Sequence, residues 1–234
     1  MELLARLAED PPSAAIILDV DGVLAPIVPR PEDARVPEAT RSELRRLAGR
    51  YALVACVSGR AGADARAIVG VRALTYVGNH GLELEPDAGE WTKQLGALLA
   101  GVDWPRVENK GLTAALHYRD MDETDARREL DAIAERARAA GFVARYGRKV
   151  LEIVPPLEAN KGTAVRRLLD ERGVRRALYA GDDTTDLDAF AALEPLELGV
   201  RVAVASAEGP PELREQADIV LGAQSGVLVL LRAL

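Results

Sequence analysis

Short apolar runs, too brief to be core helices, recur along this chain between segments of helical composition. Ala14–Val20, Tyr51–Val57, Ala73–Val77, Ala177–Ala180, Val200–Ala205 and Ile219–Leu221 read as strands. Glu38–Arg50, Ala61–Val69, Lys161–Glu171, Thr185–Leu193 and Ser225–Leu234 read as helices. A strand that is apolar on both faces cannot leave one face in water. Strands of that kind alternating with helices build a parallel sheet covered on both sides. The expected fold class is therefore α/β: a Rossmann-like parallel sheet with helices on both faces.

The middle of the chain follows another pattern. Leu112, Ala114, Leu116 and Tyr118 alternate along one strand, and Thr124–Ala140 is a charged helix with apolar positions at Leu130, Ile133 and Ala137. Phe142–Arg145 and Val150–Val154 flank Tyr146-Gly147-Arg148-Lys149, which reads as a hairpin turn. Strand, helix and hairpin make an antiparallel α+β module. The expected organisation is a core over residues 1–89 and 157–234, with the inserted module at 90–156.

Composition excludes several classes. The 234 residues carry 37 acidic and 30 basic side chains, a formal net charge of −7. Bulk charge will not hold such a chain to nucleic acid. The single cysteine, Cys56, permits no intrachain disulfide, and two histidines cannot make a three-histidine metal site. No apolar run approaches the ~20 residues that span a bilayer. The start, Met1-Glu2-Leu3-Leu4-Ala5-Arg6, lacks the basic region of a signal peptide. A cytoplasmic monomer, bound to neither nucleic acid nor membrane, is the expectation.

Chemistry concentrates where the strands end. Asp19-Val20-Asp21-Gly22 closes the first strand. Asp disfavours strands, so two there need a reason: turn formation, or a ligand site at the edge where open α/β sheets bind ligands. Gly181-Asp182-Asp183-Thr184-Thr185-Asp186 follows a later strand. Three carboxylates within five residues repel one another unless a cation joins them, and oxygen donors suit Mg²⁺. A helix N-cap accounts for one or two of them. Ser58-Gly59-Arg60 ends the second strand, where it serves either as a cap or as an anion site. Lys161 opens a helix, where a cation works against the dipole, although a solvated lysine is also ordinary there. Nucleophile, acid, hydroxyl, ammonium and metal ligands together suit phosphoryl transfer, which needs positioning and charge neutralisation.

In the order D-x-D-G, Ser, Lys, G-D-D-x-x-D, the chain resembles the haloacid dehalogenase (HAD) superfamily of phosphohydrolases. Further strings, Val57-Ser58-Gly59-Arg60, Gly78-Asn79-His80-Gly81-Leu82-Glu83, Glu108-Asn109-Lys110-Gly111 and His117-Tyr118-Arg119, resemble the trehalose-6-phosphate phosphatase family. Val23 departs from the commoner superfamily motif, which has Thr; no catalytic carboxylate is touched.

That resemblance implies a HAD core with a C2-type α+β cap, a sugar-phosphate substrate and Mg²⁺ as cofactor. It implies Asp19 as nucleophile and Asp21 as acid, then base. Ser58 binds a phosphoryl oxygen and Lys161 balances charge. The metal is assigned to Asp19, the Asp21 carbonyl and Asp182, with Asp183 and Asp186 direct or through water. Sugar contacts fall to Glu108, Lys110, Arg148 and Glu152, and Asn79 and His80 follow the third strand as further substrate contacts. Sucrose phosphate, a glycosyl-phosphoglycerate, or a non-catalytic phospho-acceptor role are the rival expectations.

Two local expectations come from spacing. Unbroken alternation from Glu108 to Arg119 places Glu108 and Lys110 with the packed residues Leu112 and Leu116. A bulge or bend at Gly111 is therefore expected, moving them to the His117 side. Cys56 is expected to be an inert core thiol, and Trp91 and Trp104 packing residues.

Overall fold

The computed structural model describes residues 2–28, 30, 33–147, 149–206 and 209–234. Two compact units divide the chain: Met1–Gly81 with Ala159–Leu234, and Leu82–Glu158.

In chain order the first unit begins with α1 (Glu2–Glu9), β1 (Ala14–Leu18), α2 (Glu38–Ala48), β2 (Leu53–Val57), α3 (Gly62–Val69) and β3 (Thr75–Val77). The second unit holds α4 (Ala88–Leu99), β4 (Val107–Asn109), β5 (Ala114–His117), α5 (Glu123–Ala139), β6 (Val143–Gly147) and β7 (Val150–Val154). The chain returns with α6 (Lys161–Arg172), β8 (Arg176–Gly181), α7 (Asp186–Ala192), β9 (Leu198–Val204), α8 (Pro211–Gln216), β10 (Ile219–Leu221) and α9 (Gly226–Ala233).

The first unit is built on a six-stranded sheet in the order β10-β9-β8-β1-β2-β3, parallel throughout. Every residue of β1 and β2 is buried, as a sheet covered on both faces requires. Alternate residues point to opposite sides. Ile16, Leu18, Val54, Cys56 and Leu178 join a core cluster with Leu4, Leu7, Leu44, Leu47 and Leu230 of the flanking helices. Tyr179 lies on the other side, its ring edge-on to Phe190 of α7 at 6.3 Å. Strand order reverses between β1 and β8, the switch point at which α/β sheets bind ligands beyond the strands' carboxyl ends.

The second unit pairs an antiparallel sheet, β4-β5-β7-β6, with α4 and α5. Its core gathers Ala114, Leu116, Leu151, Ile153 and Ala144 from the sheet with Leu95, Leu130, Ile133 and Ala137 from the helices. The Asp122 side chain caps α5, accepting from the N–H groups of Thr124 and Asp125 at 2.9 and 3.1 Å. Glu108, Ala115, Glu152 and Arg145 form one cross-strand row. That row lies on the sheet face opposite the core.

The bulge or bend expected at Gly111 is a bend, and it is tight enough to make a hairpin. The Lys110 N–H donates to the Thr113 carbonyl at 2.9 Å, and Gly111 takes φ +80°. The chain reverses here and Glu108 pairs with Ala115. Glu108 reaches the His117 face as expected, but by reversal of the chain. Helices α1, α4 and α8 lie in segments where the sequence pattern gave no element. Two glycines interrupt the apolar pattern of α4, and α1 and α8 span eight and six residues. No helix among the described residues is long and apolar enough to cross a membrane.

Candidate active site

The carboxyl ends of β1 and β8 bring the separated acidic strings together. Asp19 follows β1, and its backbone N–H donates to the Ala180 carbonyl of β8 at 2.9 Å. Asp182 follows β8, and Asp186 opens α7. One carboxylate oxygen from each of Asp19, Asp182 and Asp186 lies within 4.8 Å of the others. All three residues are buried. Close approach of the two loops depends on Gly22, at φ +73°: a Cβ there would overlap the Asp182 carboxylate.

Lys161 enters from α6. Asn160 caps that helix reciprocally with Thr163: the Thr163 N–H donates to Asn160 Oδ1 at 2.8 Å, and the Asn160 N–H donates to Thr163 Oγ1 at 3.0 Å. A capping box of this kind fixes the first turn, and Lys161 is its first residue. The Lys161 ammonium donates to Asp19 Oδ2 and to Asp186 Oδ1, both at 2.7 Å, with its side chain only 2% exposed.

One ammonium against three buried carboxylates leaves an excess of negative charge. Burial chiefly, with the neighbouring Asp186, pushes the Asp19 carboxyl up to about 7 despite the opposing pull of Lys161. Burial, then Asp19 and Asp186, pushes Asp182 up to about 8. Burial works to lower the Lys161 ammonium, but Asp19 and Asp186 outweigh it and raise it. A divalent cation that takes hard oxygen donors fits this donor set and this charge.

The three acids are not equivalent. Each oxygen of Asp186 already accepts twice: Oδ1 from Lys161 and from the Tyr179 hydroxyl at 2.7 Å, Oδ2 from the Asp182 and Asp183 N–H groups at 2.9 and 3.0 Å. That saturation suits an anchor holding Lys161 and the Asp182 loop in place. Asp183, expected among the metal ligands, stands outside the cluster. It is exposed, and its Oδ1 accepts the N–H of Thr184 at 2.6 Å. The cause is local: Asp183 lies in the turn ahead of α7, where its carboxylate serves the backbone.

Asp21 and Ser58 form the other side of the site. The Asp21 carboxylate is gripped by Arg60, with Nε to Oδ2 at 2.6 Å and Nη2 to Oδ1 at 2.7 Å. The Arg60 N–H donates to Ser58 Oγ at 3.2 Å, and Ser58 is buried. The turn after β3 braces this loop. The Asn79 N–H donates to the Arg60 carbonyl at 2.8 Å, and the His80 N–H donates to the Ser58 carbonyl at 2.9 Å. Asn79 and His80 both take left-handed backbone, φ +51° and +55°. Non-glycine residues held there cost about 1–3 kcal/mol each and cluster at functional sites. The His80 ring lies against Gly59, where an added Cβ would come within 2.7 Å of it.

In the second unit, Glu108 is held by His117 Nε2 at 3.1 Å, with Lys110 Nζ 3.6 Å away. Glu152 pairs with Arg145 at 2.8 Å. These side chains occupy the open sheet face. Arg148, expected beside them, lies outside the described residues. Trp91 and Trp104 pack in the module's core as expected, Trp91 edge-on to Phe142 at 5.0 Å. Cys56 is fully buried and burial pushes its thiol up, so it stays protonated. Arg60 and Tyr179 were not singled out from the sequence. The first was signalled by adjacency to Ser58, the second by a lone phenol in an aliphatic strand.

Residues 17–222 match the family model described as trehalose-phosphatase. The chain belongs to the trehalose-phosphatase family. A trehalose-phosphate phosphatase of Mycobacterium ulcerans is 32% identical, over 82% of this chain and 54% of that protein. A probable trehalose-phosphate phosphatase G of Arabidopsis thaliana is 30% identical, over 82% of this chain and 62% of that protein. An uncharacterized glycosyl hydrolase of Mycobacterium tuberculosis is 34% identical over 80% of this chain, which spans only 16% of it. The chain thus covers less than two thirds of each of these relatives. Among solved structures, a trehalose-6-phosphate phosphatase related protein superposes with a TM-score of 0.67 at 23% identity, over 93% of this chain and 95% of that one. A haloacid dehalogenase-like hydrolase from Bacteroides thetaiotaomicron superposes at 0.60 with 14% identity, over 94% of this chain and 98% of that one. At such identities these last two establish the shared fold: an α/β HAD-like core with a separate antiparallel module.

Proposed function

We propose that this chain is a Mg²⁺-dependent phosphatase that hydrolyses trehalose 6-phosphate to trehalose and phosphate. The supporting observation is the buried assembly at the switch point: Asp19, held 2.7 Å from Lys161, among carboxylates that call for a cation. Family membership supports the substrate.

An Asp19 carboxylate oxygen attacks phosphorus, and the bond from phosphorus to the sugar oxygen breaks. Asp21 gives its proton to the departing sugar oxygen. Water then attacks the aspartyl-phosphate, passing its proton to Asp21. The Asp19–phosphorus bond breaks, and inorganic phosphate leaves with Asp19 free. Lys161 balances the Asp19 charge, and the Ser58 hydroxyl donates to a phosphoryl oxygen. Asp19 and Asp182 would hold Mg²⁺, together with the Asp21 carbonyl. When bound, the metal supplies neutralisation of charge on the transferring group. Asp186 fixes Lys161 and the Asp182 loop. Glu108, Lys110, Glu152 and Arg148 would hydrogen-bond sugar hydroxyls, and Asn79 and His80 would line the phosphate end. In this reading residues 90–156 act as the cap, and the protein works in trehalose biosynthesis as a cytoplasmic monomer.

Phosphate release with Mg²⁺ is measured across trehalose 6-phosphate, sucrose 6-phosphate, glucose 6-phosphate and a glycosyl-phosphoglycerate, with Asp19→Asn as blank. Preference for trehalose 6-phosphate, lost in the blank, is expected. Preference for another substrate would reassign the sugar and keep the core chemistry. Release from none would make the chain a non-catalytic phospho-acceptor domain.

A further inference from the structure

A general acid must present its carboxyl in one direction, and Asp21 has little burial to hold it there. Its side chain is 37% exposed, against 8% for Asp19. Backbone bonds tie the residues on either side of Asp21: the Gly22 N–H donates to the Ala25 carbonyl at 2.8 Å, and the Val20 carbonyl accepts from the Leu24 and Ala25 N–H groups at 2.9 and 2.8 Å. These bonds fix the loop but do not aim the Asp21 side chain. Arg60 supplies what burial does not. Its guanidinium takes both carboxylate oxygens, at 2.6 and 2.7 Å, in the two-point geometry that fixes orientation as well as distance. Arg60 is itself only 17% exposed at its side chain. Its backbone is tied at both ends: the N–H to Ser58 Oγ, the carbonyl to the left-handed Asn79.

We infer that Arg60 is the positioning residue for Asp21, aiming its carboxyl at the oxygen that leaves phosphorus. This inference rests on the phosphatase reading above. Each carboxylate oxygen keeps a second lone pair beyond the fork, and the exposed edge of Asp21 gives it access. The proton can therefore pass to the leaving oxygen with the fork intact. The chain of restraint runs from the strained Asn79–His80 turn, through the Ser58–Arg60 loop, to Asp21. One loop thus sets both the phosphate-binding hydroxyl and the acid.

Leaving-group chemistry separates this role from structural support. An alkoxide leaves poorly and needs the acid, whereas p-nitrophenolate leaves unaided. The constant kcat/KM reports only steps up to departure of the leaving group, so later hydrolysis of the aspartyl-phosphate does not enter. The test measures kcat/KM with Mg²⁺ for Arg60→Met and Arg60→Lys on p-nitrophenyl phosphate and on the best sugar phosphate of the unaltered chain. Inhibition by inorganic phosphate and thermal melting are recorded alongside.

Arg60→Met is expected to lose at least ~10-fold more on the sugar phosphate than on p-nitrophenyl phosphate, a part of the ~10²–10⁴-fold that general acid catalysis supplies. Arg60→Lys, which keeps the charge but not the fork, should fall between. Should Arg60→Met fail to fold, the Arg60→Lys ratio decides. Equal losses on both substrates, with weaker phosphate inhibition, would overturn the inference and make Arg60 a phosphate ligand. Equal losses with unchanged inhibition but lower melting would make it structural. Both outcomes leave the phosphatase reading standing. An unaltered chain that hydrolyses neither substrate removes that reading, and this inference with it.

Discussion

The two units place acid–base pairs in opposite settings. At the β1–β8 switch point, Lys161 and Asp19 meet at 2.7 Å with side chains 2% and 8% exposed. On the open face of the second sheet, Arg145 and Glu152 meet at 2.8 Å with side chains 64% and 40% exposed. The distances are nearly equal, but the physics is not. In the buried site each charge has lost its water, so removing a partner strands the others. On the open face solvent screens the pair, and it contributes little to stability. Rigid, costly charge suits a reaction centre that must not rearrange. Cheap, exchangeable charge suits recognition, where a ligand must displace existing partners.

The largest expected break in that contrast is Lys161→Met. It leaves Asp19 and Asp186 facing each other without a cation, so stability should fall by about 3–5 kcal/mol in urea unfolding, and turnover should vanish. A variant of unaltered stability would show that the buried charges are not coupled as the geometry requires. Glu152→Gln should cost under about 1 kcal/mol of stability. It should nonetheless lower kcat/KM on the sugar phosphate by about 10-fold, the worth of a charged hydrogen bond, and leave p-nitrophenyl phosphate nearly unaffected. Equal effects on both substrates would remove the open face from sugar recognition.

The smallest effect concerns pH. The folded Asp19 and Asp182 titrate at about 7 and about 8, above the ordinary 3.8. Between those values the folded chain binds more protons than the unfolded one, so stability falls as pH rises from about 4 to about 8. Lys161 is raised from an already high value and adds no slope in that window. A bound cation should relieve the repulsion, so the gain in melting temperature on adding Mg²⁺ should grow across that range. A gain independent of pH would mean that the cation does not sit among these acids.

Much of this was legible in order of residues. Both-face-apolar strands between helices announced the covered parallel sheet, because such strands fit nowhere else. The Asp19–Asp21 and Asp182–Asp186 strings stood out because turn formation and helix capping account for some of their carboxylates but not for all. Legibility failed where geometry depends on a partner distant in sequence. Nothing in Asp183 distinguished it from Asp182, yet one faces the cluster and the other serves the neighbouring backbone. Gly111 signalled a break in alternation, but only the pairing of Glu108 with Ala115 made it a hairpin. Arg60 stood beside Ser58 in plain view, and its grip on Asp21 required two loops to meet.

The sequence by itself determined the fold class and the residues rich in chemistry, because hydrophobic period and turn composition are local properties of the chain. Tertiary structure alone decided which acids converge, which is saturated by donors, and which cation meets which carboxylate. Those outcomes depend on strand order around the switch point, where residues 19, 161, 182 and 186 become neighbours, and on the burial that turns their proximity into energy.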